Sequence, residues 1–305
     1  MIPSGARAGA AALAHSPVAQ RLRVPLLVTV MLVSAACFVV LKAGLAYAPP
    51  LRFAALRLLV GGLATFAILL LWRQPPAPPR WAWPRLAALA MAAGALAYGA
   101  MLAAPAFTGA GVAAVLGNTQ PLLIVALAAL LLGEAVTRRT SLALLVGLGG
   151  VALVASPAPL TTGPDDLVGA LLALASSAAL AVGTVIVRGI DGRPNLLTLT
   201  AWQLSLGSLP LFAASLIFEP AAVTTWSLSF LGLLAFLSLA GTTFVTGAWY
   251  WLIQGQAVGR LSLVMFLVPA FGLGLAVWLF GETVSAAQLG GLVLIVLGLL
   301  GVARR

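Results

Sequence analysis

The stretch GNTQPLLIVALAALLLGEAV, residues 117–136, has a counterpart 148 residues later in MFLVPAFGLGLAVWLFGETV, residues 265–284. The alignment needs no gap. It sets Gly111 on Gly259, Pro121 on Pro269, Gly133-Glu134 on Gly281-Glu282 and Val136 on Val284. It runs on to Gly150 with Gly298 and Val154-Ala155 with Val302-Ala303. An offset of 146 aligns earlier segments: Lys42 with Arg188, Arg57 with Gln203, Gly61 with Gly207 and Phe66 with Phe212. The chain of 305 residues is therefore two copies of one unit.

Both copies are made of apolar runs about 20 residues long, the length that crosses a bilayer as a helix. Hydrophobic residues make up 62% of the chain and charged ones 7%, with a mean hydropathy of +1.15. A water-facing surface normally needs about a quarter charged residues, so lipid is the outer solvent. Breaks at Pro, Gly and charge predict ten spans: 24–46, 51–72, 84–105, 109–131, 139–156, 167–188, 196–218, 228–253, 258–280 and 285–303. Period-2 alternation is absent, so the spans are helices rather than strands of a barrel.

Lys and Arg set the orientation. With the N-terminus inside, thirteen of them fall in cytoplasmic segments, two (Lys42 and Arg52) outside, and Arg57 within the second span. This positive-inside bias places both termini in the cytoplasm. Five spans per copy is an odd number, so the second copy enters the bilayer from the opposite side. The expected fold is an all-α integral membrane protein of ten transmembrane helices in a 5+5 inverted-topology repeat. Residues 24–156 form the first copy and 157–305 the second. Residues 1–23 read as a disordered, uncleaved cytoplasmic tail. Trp72, Trp81, Trp83, Trp249 and Trp251 fall at the inner interface, and Trp226 and Trp278 at the outer one, as an aromatic belt does.

Composition also excludes. The net charge of +10 has no basic run or helical face behind it, so nucleic acid is not the partner. Cys37 is the single cysteine and His15, in the tail, the single histidine, which leaves no ligands for a metal site and no Ser/His pair. No cofactor is implied and no enzyme is expected. The acids lie at span ends, with none at midplane, which argues against a carboxylate proton relay. Facilitated export, or coupling through Lys42 or another weak group, is expected instead. A channel competes with a carrier, but no ring of charge or filter-like carbonyl run appears.

Inverted repeats let a central site open first to one face and then to the other, and paired Pro or Gly interruptions mark that site. Pro121 and Pro269 sit about 18 Å into their spans at 1.5 Å per residue, near the bilayer centre. Each proline frees a carbonyl one turn earlier, that of Gly117 or Met265. Either these carbonyls accept from a substrate, or the kinks only shape packing. Asn118 and Gln120 beside Pro121 need partners at that depth: a neighbouring helix or a wet cavity. Thr242, Thr243 and Thr246, with Tyr250 a turn further on, form a small polar patch that suits either close packing or a cavity wall. Tyr98 and Met101 share a helical face that can supply an apolar cavity wall with a hydroxyl, and Trp202, several residues inside its span, either packs in the core or meets the substrate. Lys42 and Arg57 either snorkel to the surface or draw an anionic group toward an outer vestibule. The pairs Ala143/Gly147 and Ala286/Gly290 mark close helix contacts, within one chain or between protomers, so a monomer and a weak homodimer are both open.

The run Phe38-Val39-Val40-Leu41-Lys42, then Pro49-Pro50 and Arg57, resembles the first repeat of EamA-type carriers of the drug/metabolite transporter superfamily. The segment Leu197-Thr198-Leu199-Thr200-Ala201-Trp202-Gln203 and the two Gly-Glu pairs resemble the rest of it. The likeness spans residues 24–303. It implies a ten-helix exporter of small metabolites in the bacterial inner membrane, with amino-acid exporters of the YddG type among the members most alike. Amino acids, nucleosides and lipophilic cations all suit an apolar cavity holding a few amides and hydroxyls.

Overall fold

A computed structural model describes residues 17–108, 110–156, 166–190, 195–220, 223–254, 256–280 and 283–303. His15, Asp165, Asp191 and the Gly281-Glu282 pair lie outside them, as does most of the N-terminal tail. Ten helical elements follow one another. They are α1 (Pro17–Gly44), α2 (Pro50–Leu71), α3 (Arg80–Ala106), α4 (Ala110–Gly117 then Gln120–Leu132) and α5 (Arg138–Ala155). After them come α6 (Asp166–Gly189), α7 (Leu196–Phe218), α8 (Leu228–Leu252), α9 (Val258–Ser262 then Leu267–Phe280) and α10 (Ala286–Ala303). Among the described residues nine helices are long and apolar enough to cross a membrane, and α10 is a shorter apolar helix. The first helix starts at Pro17, so residues 17–23, read from sequence as tail, continue α1.

Local chemistry sets these boundaries. Pro50 opens α2 at a position where its missing N–H costs nothing. Thr137, Asn195 and Ser227 cap α5, α7 and α8, each side-chain oxygen accepting a backbone N–H of the first turn. The Gly-Glu pair has a division of labour. Gly133 ends α4 with φ at +68°, which only glycine adopts without strain. The chain then turns so that the Glu134 carboxylate accepts from the N–H groups of Val258 (2.8 Å) and Gly259 (3.0 Å) at the start of α9.

Helix packing repeats the sequence repeat. The helix α2 packs along its mate α7, and α5 along its mate α10, while α4 on α6 matches α9 on α1. A Cβ added at Gly61 would fall 3.1 Å from the Ser238 carbonyl oxygen; one at its mate Gly207 would fall 2.9 Å from that of Ala90. Ala143 and Gly147 meet α10: a Cβ on Gly298 would lie 3.0 Å from the Ala143 carbonyl oxygen. That small-residue face therefore joins the two copies within one chain. Two mated positions carry π-helical turns, Ala90–Leu96 in α3 and Leu239–Phe244 in α8. Large apolar side chains such as Leu71, Leu130, Leu228 and Trp278 are about four-fifths exposed, which only an apolar solvent tolerates at this density.

Candidate functional site

A cavity of about 420 Å³ lies between the copies, walled by every helix except α5 and α10. Its lining runs from mid-helix residues such as Met31, Gln203 and Met265 to Leu41, Pro105 and Ala113 near one face. Toward the opposite face a cluster including Leu86, Leu89, Ile124, Val187, Ile253 and Val258 fills the space. Glu134 ties α4 to α9 on that sealed side.

Both helices that carry the paired prolines are interrupted beside the cavity. In α4 the break falls at Asn118–Thr119, and in α9 a 3-10 stretch, Leu263–Phe266, occupies the matching place. The carbonyls around the first break are engaged. Ser177 Oγ of α6, with one proton to give, lies 2.7 Å from the Gly117 oxygen and 2.9 Å from that of Leu116, and Asn118 Nδ2 donates to the Ala114 oxygen (2.7 Å). The Gly117 carbonyl thus already has a protein donor.

Arg57 is the cation of the wall. It is 4% exposed and lines the cavity. Its Nε donates to Thr242 Oγ1 at 2.6 Å and its Nη2 to the Gly241 carbonyl at 3.1 Å, while its guanidinium lies 5.0 Å from the centre of the Tyr98 ring. Gly241 belongs to the π-helical turn of α8, where the shift from i→i+4 to i→i+5 bonding leaves a carbonyl to accept a side chain. Bonds to a charged group contribute about 1.5–3 kcal/mol each. Two of them offset the cost of about 2.5–3.5 kcal/mol for a cation at bilayer centre. Arg57 therefore sits inside and does not snorkel. Lys42, by contrast, is exposed in the last turn of α1, where the helix dipole favours a cation.

The cavity gathers Tyr98, Met101, Asn118, Gln120, Pro121, Thr246, Tyr250 and Met265 with Arg57. It leaves out Lys42, Thr242, Thr243, Trp202 and Pro269. Thr242 is fully buried behind Arg57 and donates to the Leu237 carbonyl (2.8 Å). Thr243 donates to the Gly61 carbonyl (2.8 Å), fixing α8 to α2. Trp202 gives its indole N–H to the Pro76 carbonyl (2.7 Å) and meets Phe66 and Trp83 edge-on, a packing role. Pro269 lies just past the α9 break, beside the lining Val268.

Trp249 and Gln203 are among the lining residues not selected from sequence. Trp249, placed there in the inner belt, is 7% exposed, lines the cavity and donates to Thr184 Oγ1 at 3.3 Å. Its position a turn beyond Thr246 was the available signal. Gln203 is 1% exposed, and its Oε1 accepts from the Tyr250 hydroxyl at 2.6 Å. The repeat had already marked it as the mate of Arg57.

The EamA-like transporter family model matches this chain twice, over residues 22–156 and 167–304. The chain belongs to the EamA-like transporter family. A Salmonella typhimurium protein named "Probable amino-acid metabolite efflux pump" is 31% identical over 280 residues, covering 86% of this chain and 88% of that one. A Bacillus subtilis protein, "Uncharacterized transporter YvbV", is 29% identical over 255 residues, covering 84% and 83%. A solved crystal structure shares the fold, with a TM-score of 0.80 at 20% identity over 93% of this chain and 96% of the other. As an EamA-like protein the chain is a multi-pass membrane transporter, and the relatives named here are transporters rather than enzymes. Both matched segments contribute helices to the cavity wall.

Proposed function

We propose that the protein exports neutral and aromatic amino acids across the bacterial inner membrane, by alternating access between two inverted five-helix units. The observation that carries this reading is the cavity itself. It is bounded by mated helices of both copies, is mostly apolar, and about 420 Å³ falls in the range of small-molecule sites. The broken α4 and α9 beside it are the devices expected of a midplane site in repeat transporters. The name of the Salmonella typhimurium relative supports an amino-acid cargo.

On this reading α10 is the tenth span, both termini are cytoplasmic, and the sealed end bearing Glu134 faces the cytoplasm. The arrangement is then the outward-facing state of a monomer. Transport is facilitated, since no carboxylate lines the cavity among the described residues.

The test is uptake and counterflow in liposomes holding the purified protein, over a panel of labelled amino acids, nucleosides and lipophilic cations. Saturable uptake of neutral or aromatic amino acids with counterflow is expected. Conductance without saturation would make the protein a pore, and response to nucleosides or drugs alone would move the substrate class. Uptake driven strictly by a pH gradient and abolished by one carboxylate change would overturn the facilitated mechanism.

A further inference from the structure

The cavity wall holds a charge that no described acidic side chain balances. The acids with described side chains, Glu134 and Glu219, are engaged elsewhere, Glu134 with the start of α9 and Glu219 with the N–H groups of Leu51 and Arg52. The partners of Arg57 are a hydroxyl, a carbonyl and an aromatic ring, all neutral, and they use two of its five N–H donors. A guanidinium fixed in this way keeps a free edge preorganised for a planar anion such as a carboxylate.

A second, independent group faces the same space. Gln203 is 99% removed from solvent and lines the cavity from α7, with Tyr250 fixing its Oε1. An amide oriented by its oxygen presents its nitrogen the other way, and among the described residues the Gln203 side chain bonds only through that oxygen. An N–H donor held in an apolar wall gains most from an acceptor supplied by the cargo.

We propose that Arg57 and Gln203, repeat mates on α2 and α7, form a two-donor seat for the carboxylate of the transported molecule, so that the carrier takes small carboxylates and refuses amines that lack one. The inference rests on the transport reading above and narrows its substrate class. The positive wall repels a lone ammonium, while an amino acid presents a carboxylate to the seat and leaves its side chain to apolar lining such as Met31, Phe38 and Met265.

The test compares L-phenylalanine with 2-phenylethylamine, which differ only by the carboxylate, in proteoliposomes of the wild type, Arg57→Gln, Arg57→Lys and Gln203→Leu. Wild type should take up the amino acid at least tenfold faster than the amine. Loss of a charge-assisted bond from a closed site weakens binding by about tenfold to a hundredfold, so Arg57→Gln should lose that factor for phenylalanine. It should also gain amine uptake, which a merely misfolded variant cannot do. Arg57→Lys, which keeps the charge without the fork, should fall between, and Gln203→Leu should raise the KM for phenylalanine several-fold. Equal transport of amine and amino acid by wild type would overturn the seat while leaving the transporter reading intact. Transport of neither would remove both.

Discussion

The helices α2 and α7 are repeat mates that lie against each other, each giving one polar residue to the same cavity. In one copy that residue is Arg57, clamped by the π-helical turn of α8 and the Tyr98 ring. In the other it is Gln203, held by the Tyr250 hydroxyl. The backbone frame is shared, but the charge stands on one side only. On the transport reading proposed above, near-symmetry supplies the moving parts, and divergence at one pair of positions supplies the chemistry.

The strongest way to break the comparison is to make the two mates alike. Gln203→Arg adds a second buried cation to a wall without a counter-charge. An uncompensated buried charge costs about 3–5 kcal/mol, so a fall in the thermal unfolding midpoint in detergent of many degrees is expected. A midpoint within a degree of wild type would mean that α7 can seat a cation as α2 does.

The two glycines of the α2 and α7 contacts sharpen it further. A Cβ at Gly207 would sit 2.9 Å from both the Ala90 carbonyl oxygen and the Gly94 Cα, backbone that cannot rotate away. At Gly61 the neighbours are the Ser238 carbonyl oxygen at 3.1 Å and the Thr243 hydroxyl at 3.2 Å, which can turn. Gly207→Ala should cost about 1–3 kcal/mol by overpacking, and Gly61→Ala measurably less. Equal unfolding midpoints for the two variants would contradict this order. The smallest effect belongs to Tyr250→Phe, which removes one neutral hydrogen bond, about 0.5–1.5 kcal/mol, and frees the Gln203 amide to flip. A modest rise in KM for a carboxylate substrate with little change in midpoint is expected, and an unchanged KM would argue that the amide needs no fixing.

Much of the fold was readable because membrane spans declare themselves by length, and because Pro121 with Pro269 and the Gly-Glu pairs keep their spacing. The site was half readable. Pro121, Asn118 and Gln120 stood out since amides in an apolar run must find partners somewhere. Arg57 did not declare its depth. Snorkelling looked open because sequence cannot show that a π-helical turn in α8, legible there only as a small polar patch, supplies a carbonyl for it. Trp249 had the spacing of an interface residue and the burial of a core one. Thr242 and Thr243 were polar at the right depth, yet they bond to protein, and nothing in a sequence separates a hydroxyl that faces a cavity from one that fixes a helix.

The π-helical turns carry a consequence for angular register. Each holds an extra residue within its helix. The wider turn absorbs that residue, so Tyr98 and Met101 keep the face that an uninterrupted α-helix one residue shorter would give them. Removing one residue between Ala90 and Leu96 would close the turn to α geometry with both side chains still on the wall, whereas the same deletion in the α-helical part just before Tyr98 would rotate them by about 100°. The turn is therefore a buffer, a place where α3 can gain or lose a residue of length without re-aiming Tyr98 and Met101.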